Sequence, residues 1–333
     1  MRCSRRNKAV SPVIGTILVL AISLSTIASM LLWGIPYIES RKVNSMVTSV
    51  YNQFKTLDDA LYLLVQQGLD ASTVTSVAIE KGSININPIG ERIIIFYSLN
   101  SDYNFSVSGL DDGNNTFKIR LEDDSSYDSI DSRVVATWLD PSSPSLPEIR
   151  IGTISKDRFT TFQFGQDKDI KNMVRIDLIN NTFGGQLFGR IWLFDTGSIT
   201  YDLPSSVGEY KVVAENLGIV VYSPAGPYLR DWPVIYNTTD SLSMRILNVR
   251  SSQGGSGAGI YRFLIQVNDD ECTEANRQVY YFKIQIYGDY STVWRDYFKS
   301  QHGFGEYGSG TLYRNIQRFS LVYSLCNVNM GLI

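Results

Sequence analysis

One histidine and three cysteines in 333 residues leave this chain short of the side chains that most enzymes and metalloproteins use. A histidine-based metal site within one chain is excluded, and any histidine-dependent triad would have to be built on His302. No G-x-S-x-G elbow accompanies it: "GSGAG" at 255–259 has the outer glycines but sits in a flexible stretch. "GFGEYG" at 303–308 has dinucleotide-loop spacing, yet it follows an expected helix and opens none, so it reads as a glycine-rich loop. His302 reads as a surface histidine. The acidic runs Asp111-Asp112, Glu122-Asp123-Asp124, Asp167/Asp169 and Asp269-Asp270-Glu271 lack the spacing of a calcium loop and read as solvated turns. The reading is therefore of a non-enzyme without cofactor or metal.

Positive charge is also scarce outside one place. The formal net charge is −3, and removing Arg2, Arg5, Arg6 and Lys8 leaves −7. A body that acidic is a poor partner for phosphate backbones, which excludes nucleic acid as the expected ligand. What the chain has in abundance is 20 tyrosines and 15 phenylalanines, residues that favour strands and recognition surfaces.

Charge is absent altogether between Lys8 and Glu39. A bilayer-spanning helix needs about 20 apolar residues, and 13–33 supply them. The run is longer than the roughly 7–15 residues of a secretory signal core, and no small-x-small cleavage site closes it. Basic residues on the N-terminal side alone place that end in the cytoplasm and the body outside. Trp33 and Tyr37 suit the outer interface. Ser11 and Pro12 make a helix start, with serine as N-cap and proline at the first helical position.

The string from Lys8-Ala9-Val10 through Ser11-Pro12-Val13-Ile14-Gly15, behind a short basic leader and ahead of a long apolar run, resembles the class III signal peptide of archaeal type IV pilins and pilin-like proteins. The match covers about the first thirty residues. The resemblance implies cleavage between Ala9 and Val10 by a prepilin peptidase, then assembly by a pilus ATPase and membrane platform into a surface filament of homo- or hetero-oligomeric pilin-like subunits. Its outer domain would serve adhesion or subunit contacts. Removing the leader frees the helix from the charges that hold it, and small residues such as Gly15, Ala21, Ser25 and Ala28 permit close packing on identical helices. The alternative is a permanently anchored single-pass surface receptor or binding protein that keeps its leader. In either case the precursor sits in the cell membrane and the body faces outward.

The expected fold class is α+β: a basic leader (1–9), an apolar helix (10–36), an amphipathic helix (37–68) and a large sandwich-like β domain (69–333). Gly34 and Pro36 are expected to bend or interrupt the helix. Val43, Val47, Val50, Phe54, Leu57, Leu61 and Leu64 form a heptad seam ending before Gly68. That seam suits either a neighbouring helix or a sheet of the same chain.

Short β-branched and aromatic runs predict strands at 73–79, 92–98, 104–108, 116–121, 218–222, 243–249, 259–267 and 279–287. A helix is expected at 291–301 and a last strand at 318–328. "SSQGGSGAG" at 251–259 reads as a flexible hairpin loop. The proline-rich "DPSSPSLPE" marks a break near 140–150 where two β-rich halves could meet.

Cys272 and Cys326 could form a disulfide in an oxidising compartment, with two buried thiols as the alternative. Asn104, Asn114, Asn180 and Asn237 each head an N-x-S/T sequon and could carry glycans on an external domain.

Overall fold

The structure, a computed structural model, describes residues 12–110, 116–139, 146–164, 173–182, 184–233, 235–308 and 310–332. A 56-residue helix, α1 (Pro12–Gln67), leads. There follow β1 (Ser72–Ile79), β2 (Ser83–Asn87), β3 (Arg92–Ser98), β4 (Phe105–Ser108), β5 (Thr116–Leu121), β6 (Ser129–Trp138), β7 (Glu148–Ser155) and β8 (Thr160–Gln163). Next come β9 (Met173–Asn180), β10 (Gln186–Asp195), β11 (Ser198–Ser205), β12 (Gly208–Glu215), β13 (Gly218–Ser223), β14 (Gly226–Asp231) and β15 (Tyr236–Asn237). The chain closes with β16 (Ser241–Arg250), β17 (Gln253–Ser256), β18 (Gly259–Gln278), β19 (Tyr280–Tyr287), α2 (Ser291–His302), β20 (Gly305–Tyr307), β21 (Thr311–Arg314) and β22 (Arg318–Leu332).

Pro36 lies inside α1, so the interruption expected at Gly34–Pro36 does not occur. Proline removes one N–H and leaves the other hydrogen bonds of the helix to carry it through. The end of α1 is as the sequence implies. Gly68 takes a left-handed φ of 86°, and Arg245 Nη1 donates to the Val65 carbonyl at 3.2 Å, supplying a partner for one of the last carbonyls.

Among the described residues, four sheets build the body. The largest has eight strands in the order β20-β21-β19-β3-β10-β9-β6-β7; a six-stranded sheet runs β14-β13-β12-β11-β2-β17; a five-stranded one runs β1-β18-β22-β16-β15; β4-β5-β8 make the fourth. The eight-stranded sheet takes β3 and β6 from before residue 140 and β9, β10 and β19 from after it. The two β-rich halves expected to meet near 140–150 are thus woven into one body, with β6 and β7 directly paired from Ala136↔Glu148 to Ser129↔Ser155. The turn between them lies largely outside the described residues.

β3 shows why this sheet is central. Ile93, Ile95 and Tyr97 enter one core, shared with β16, β22 and α2, while Ile94 and Phe96 enter another beneath β4-β5-β8. Successive strand side chains point to opposite faces, so a run buried on both faces must be apolar throughout. A third core lies among the five- and six-stranded sheets and α1. All seven seam residues of α1 are buried there. The seam is therefore covered by strands of its own chain.

Polar contacts fasten the same half of the helix. Gln53 bridges the backbone of Ala78, accepting at 2.6 Å and donating at 3.0 Å; Lys55 pairs with Asp231 at 2.7 Å; Arg230 stacks 3.8 Å over the Tyr51 ring. The chain passes directly between the six- and eight-stranded sheets from β2 to β3 and from β10 to β11. Gly197 sits at the second passage, where a Cβ would collide with the Val249 backbone.

Candidate functional site

The first half of α1 touches nothing. Every residue from 13 to 33 is exposed, Met30 by 73% and Trp33 by 84%, whereas Phe54 and Leu57 farther along the same helix are fully buried. From Val13 to Trp33 the bare segment is about 32 Å long at 1.5 Å per residue, enough for the roughly 30 Å hydrocarbon core of a bilayer. Length and composition qualify it to cross one.

Three of its hydroxyls are satisfied within the helix. The hydroxyl of Thr16 donates to the Val13 carbonyl at 2.9 Å, Thr26 to Ile22 at 2.8 Å and Ser29 to Ser25 at 2.8 Å. Such back-bonding removes the cost of placing a hydroxyl in an apolar surrounding. Past Trp33, Tyr37 receives a hydrogen bond from Arg41 Nε at 3.1 Å, an aromatic and a cation together at the level where the charges resume.

Lys8, Ala9, Val10 and Ser11 lie outside the described residues, as does Asn114. Pro12 heads α1. The other three sequons are committed elsewhere. Asn104 is buried; its Nδ2 donates to both Asp124 oxygens at 2.9 and 3.1 Å, and its Oδ1 accepts from Lys283. Asn180 is buried, donating to the Tyr103 hydroxyl at 3.2 Å. Asn237 lies between His302 and Arg314. The folded chain does not hold out these three amides as glycan acceptors.

Register also overturns the disulfide. Cys272 stands opposite Val322 on β22, and Cys326 stands opposite Val267 on β18. Four residues of strand separate the two positions by about 13 Å, well beyond the roughly 7 Å that a bridge tolerates between Cα atoms.

Nor is His302 a plain surface residue. It is half-buried at the end of α2, its Nε2 within 2.9 Å of the Tyr297 hydroxyl, and burial holds its pKa below the usual value, with Arg314 adding to the effect. "GFGEYG" contributes β20 rather than a loop alone, and "SSQGGSGAG" contributes β17, paired to β2. Among the described residues no group of three or more His, Cys, Asp or Glu is arranged to hold a metal ion.

Two features were not anticipated. The first is a pair of buried carboxyl groups, Glu91 and Glu215, where the chain passes between sheets. The Glu91 amide and the Thr196 hydroxyl both donate to Glu215 Oε1, and the Tyr290 amide donates to Glu91 Oε1 at 2.7 Å. Burial, then the charge of Glu215, pushes Glu91 up to about 8; burial pushes Glu215 up to about 7, with Asp289 adding. Asp58 on α1 is likewise raised by burial to about 7.

An acid whose folded pKa exceeds its unfolded one binds its proton more tightly in the folded state. Its contribution is fully present below the ordinary carboxyl range and is lost as pH rises through the folded pKa. The unfolding midpoint is thus expected to fall between pH 5 and pH 8.5, and Glu91→Gln to flatten part of that fall. A thermal melt series at constant ionic strength tests this; a flat wild-type profile refutes it.

The second feature is Lys283. In "YYFKIQIY" it reads as the solvent side of an alternating strand, yet it is buried. β4 covers that face of β19: Lys283 Nζ donates to the Phe105 carbonyl at 2.7 Å and Gln285 Nε2 to the Val107 carbonyl at 3.0 Å. The available signal was a long cation set among aromatics in a central strand.

No protein-family model matches the chain, and no curated protein or solved structure matches it either. Fold and helix define its class: a single long apolar N-terminal helix, able to anchor in a membrane, joined to a large β-rich domain in an α+β architecture.

Proposed function

We propose that this chain is a pilin-like structural subunit of an archaeal type IV pilus-like surface filament, cut between Ala9 and Val10 by a prepilin peptidase. The observation that carries the reading is the division of α1 into a fully bare apolar half and a half built into the domain core. A bare apolar helix needs a second environment, and in this reading it has two in succession: lipid before assembly, then the same helix of other subunits. The contact is head-to-tail, so it propagates as an open filament rather than closing into a ring. The β-rich domain, with sheets packed in sandwich-like layers, faces outward for adhesion or subunit contacts. The assembly ATPase and membrane platform are separate proteins in this scheme.

Mass spectrometry of the N-terminus of native protein, from membrane and shed-surface fractions, tests the proposal. A terminus at Val10 in the surface fraction is expected. An intact leader in surface-located protein would instead make α1 a lasting anchor and the protein a receptor.

A further inference from the structure

A cleft of about 580 Å³ opens between the loop after β5, the start of β19 and the β20-β21 hairpin. Its volume lies within the roughly 300–1,000 Å³ of small-molecule sites. Tyr307 and Tyr313 line it as an exposed pair, their ring centroids 5.6 Å apart. The two rings, inclined at 59° to one another, offer aromatic faces that the fold leaves partly uncovered.

The charged lining is mixed. Glu122, Asp123 and Asp124 face Lys283 and Arg314, so acceptors and donors stand opposite one another and nearly cancel. Lys283 donates to Asn104 Oδ1 at 2.6 Å and to the Phe105 carbonyl at 2.7 Å, and its ammonium lies 5.7 Å from the centre of the Tyr307 ring, so charge and aromatic surface adjoin. Asn104 in turn fixes Asp124 by two hydrogen bonds. The polar wall is therefore pre-arranged. On the rim Tyr281 is held at a φ of 52° by the irregularity between β19 and β3, with its hydroxyl on the Ser101 carbonyl at 3.1 Å. Strained backbone of this kind concentrates at binding sites.

Each ligand class meets this wall differently. A cation gains from the carboxylates but meets Lys283 and Arg314; an anion meets three carboxylates; an apolar guest leaves both sets unpaired, at a cost for each buried polar group. A neutral polyhydroxyl ring uses all three components, stacking a face on tyrosine while its hydroxyls donate to Glu122 and Asp124 and accept from the cations. From this geometry we infer that the cleft binds a neutral saccharide. This deepens the adhesion side of the proposed function. The site itself needs no filament.

The test is titration calorimetry on the full chain in a non-glycosidic detergent, against neutral gluco-, manno-, galacto- and N-acetylglucosamine oligosaccharides and their monosaccharides. At least one neutral series is expected to bind, and Tyr313→Ala and Tyr307→Ala each to weaken it about tenfold. Affinity that grows with chain length identifies a surface glycan as the source; equal affinity for the monosaccharide identifies a free sugar. An unfolding midpoint equal to the parent's qualifies each variant, and Asp123→Asn, at an exposed position, serves where an aromatic variant is unstable. Absence of binding to every neutral series, preference for uronate or amino-sugar oligomers, or unchanged affinity in folded Tyr313→Ala protein overturns the inference. Because micellar protein is used, a retained leader would count against the filament and leave the cleft standing.

Discussion

Phe54→Ala is expected to lower the unfolding free energy by about 3–5 kcal/mol, the range for emptying a fully buried phenylalanine site. Ile22→Ala, on the same helix, is expected to change it by less than about 0.5 kcal/mol. Phe54 is enclosed by the sheets of its own domain, and Ile22 is exposed along the bare half. Denaturant unfolding of the full chain in micelles, followed by far-UV circular dichroism and by total tryptophan fluorescence, to which buried Trp138, Trp192 and Trp294 contribute, measures both. Equal effects at the two positions would show that the domain does not depend on the seam. Leu57→Asp should be harsher still, since it buries a carboxylate where strands leave it no partner.

The second large effect concerns the leader. Lys8→Glu or Ala9→Glu is expected to stop processing, so that precursor accumulates in the membrane and surface assembly is lost. In the proposed scheme, retained Arg2, Arg5 and Arg6 would either stay at the membrane face or be drawn into hydrocarbon at a cost of several kcal/mol. An uncut helix is therefore held where it was inserted. Immunoblots of membrane and sheared-surface fractions read the outcome directly, and normal filaments from either variant would dismiss the proposed cut site.

Local patterns carried much of the fold. "RIIIFYS" reads as a buried strand because its middle five residues are all apolar or aromatic, and Gly68 reads as a helix end because glycine readily takes the left-handed conformation found there. What sequence could not show is pairing at a distance. β16 lies parallel to β22, with Ser241 beside Arg318, and nothing in either segment announces the other. That pairing and the long β18–β22 ladder set Cys272 and Cys326 apart, although their spacing along the chain allows a bridge.

"SSQGGSGAG" looks like a loop because glycine weakens strands. In the fold Gly255 lies against the Tyr261 ring and Gly254 against Asn85, close approaches that a side chain would prevent. "MVRIDLIN" alternates only at its centre, Val-Arg-Ile-Asp-Leu, and it follows the polar run "GQDKDIKN", which dilutes the signal. The bare run was legible as a helix long enough to span a bilayer, since no charge interrupts it, but its unbroken passage through Pro36 was not. The carboxyl pair and the cleft were not: Glu91 and Glu215 meet across 124 residues, and Lys283 reaches Asn104 across 179.

The unbroken course of α1 also has a mechanical side. Tension on the apolar half travels down one column of backbone hydrogen bonds and arrives at the domain as shear along the Val43–Leu64 seam. Shear loads all seven side chains at once, where peeling would load them one after another. The column has one thin rung, since Pro36 has no N–H to offer the Leu32 carbonyl. Under traction the helix is expected to lengthen first at that rung, between the bare half and the domain, which spares the sheets.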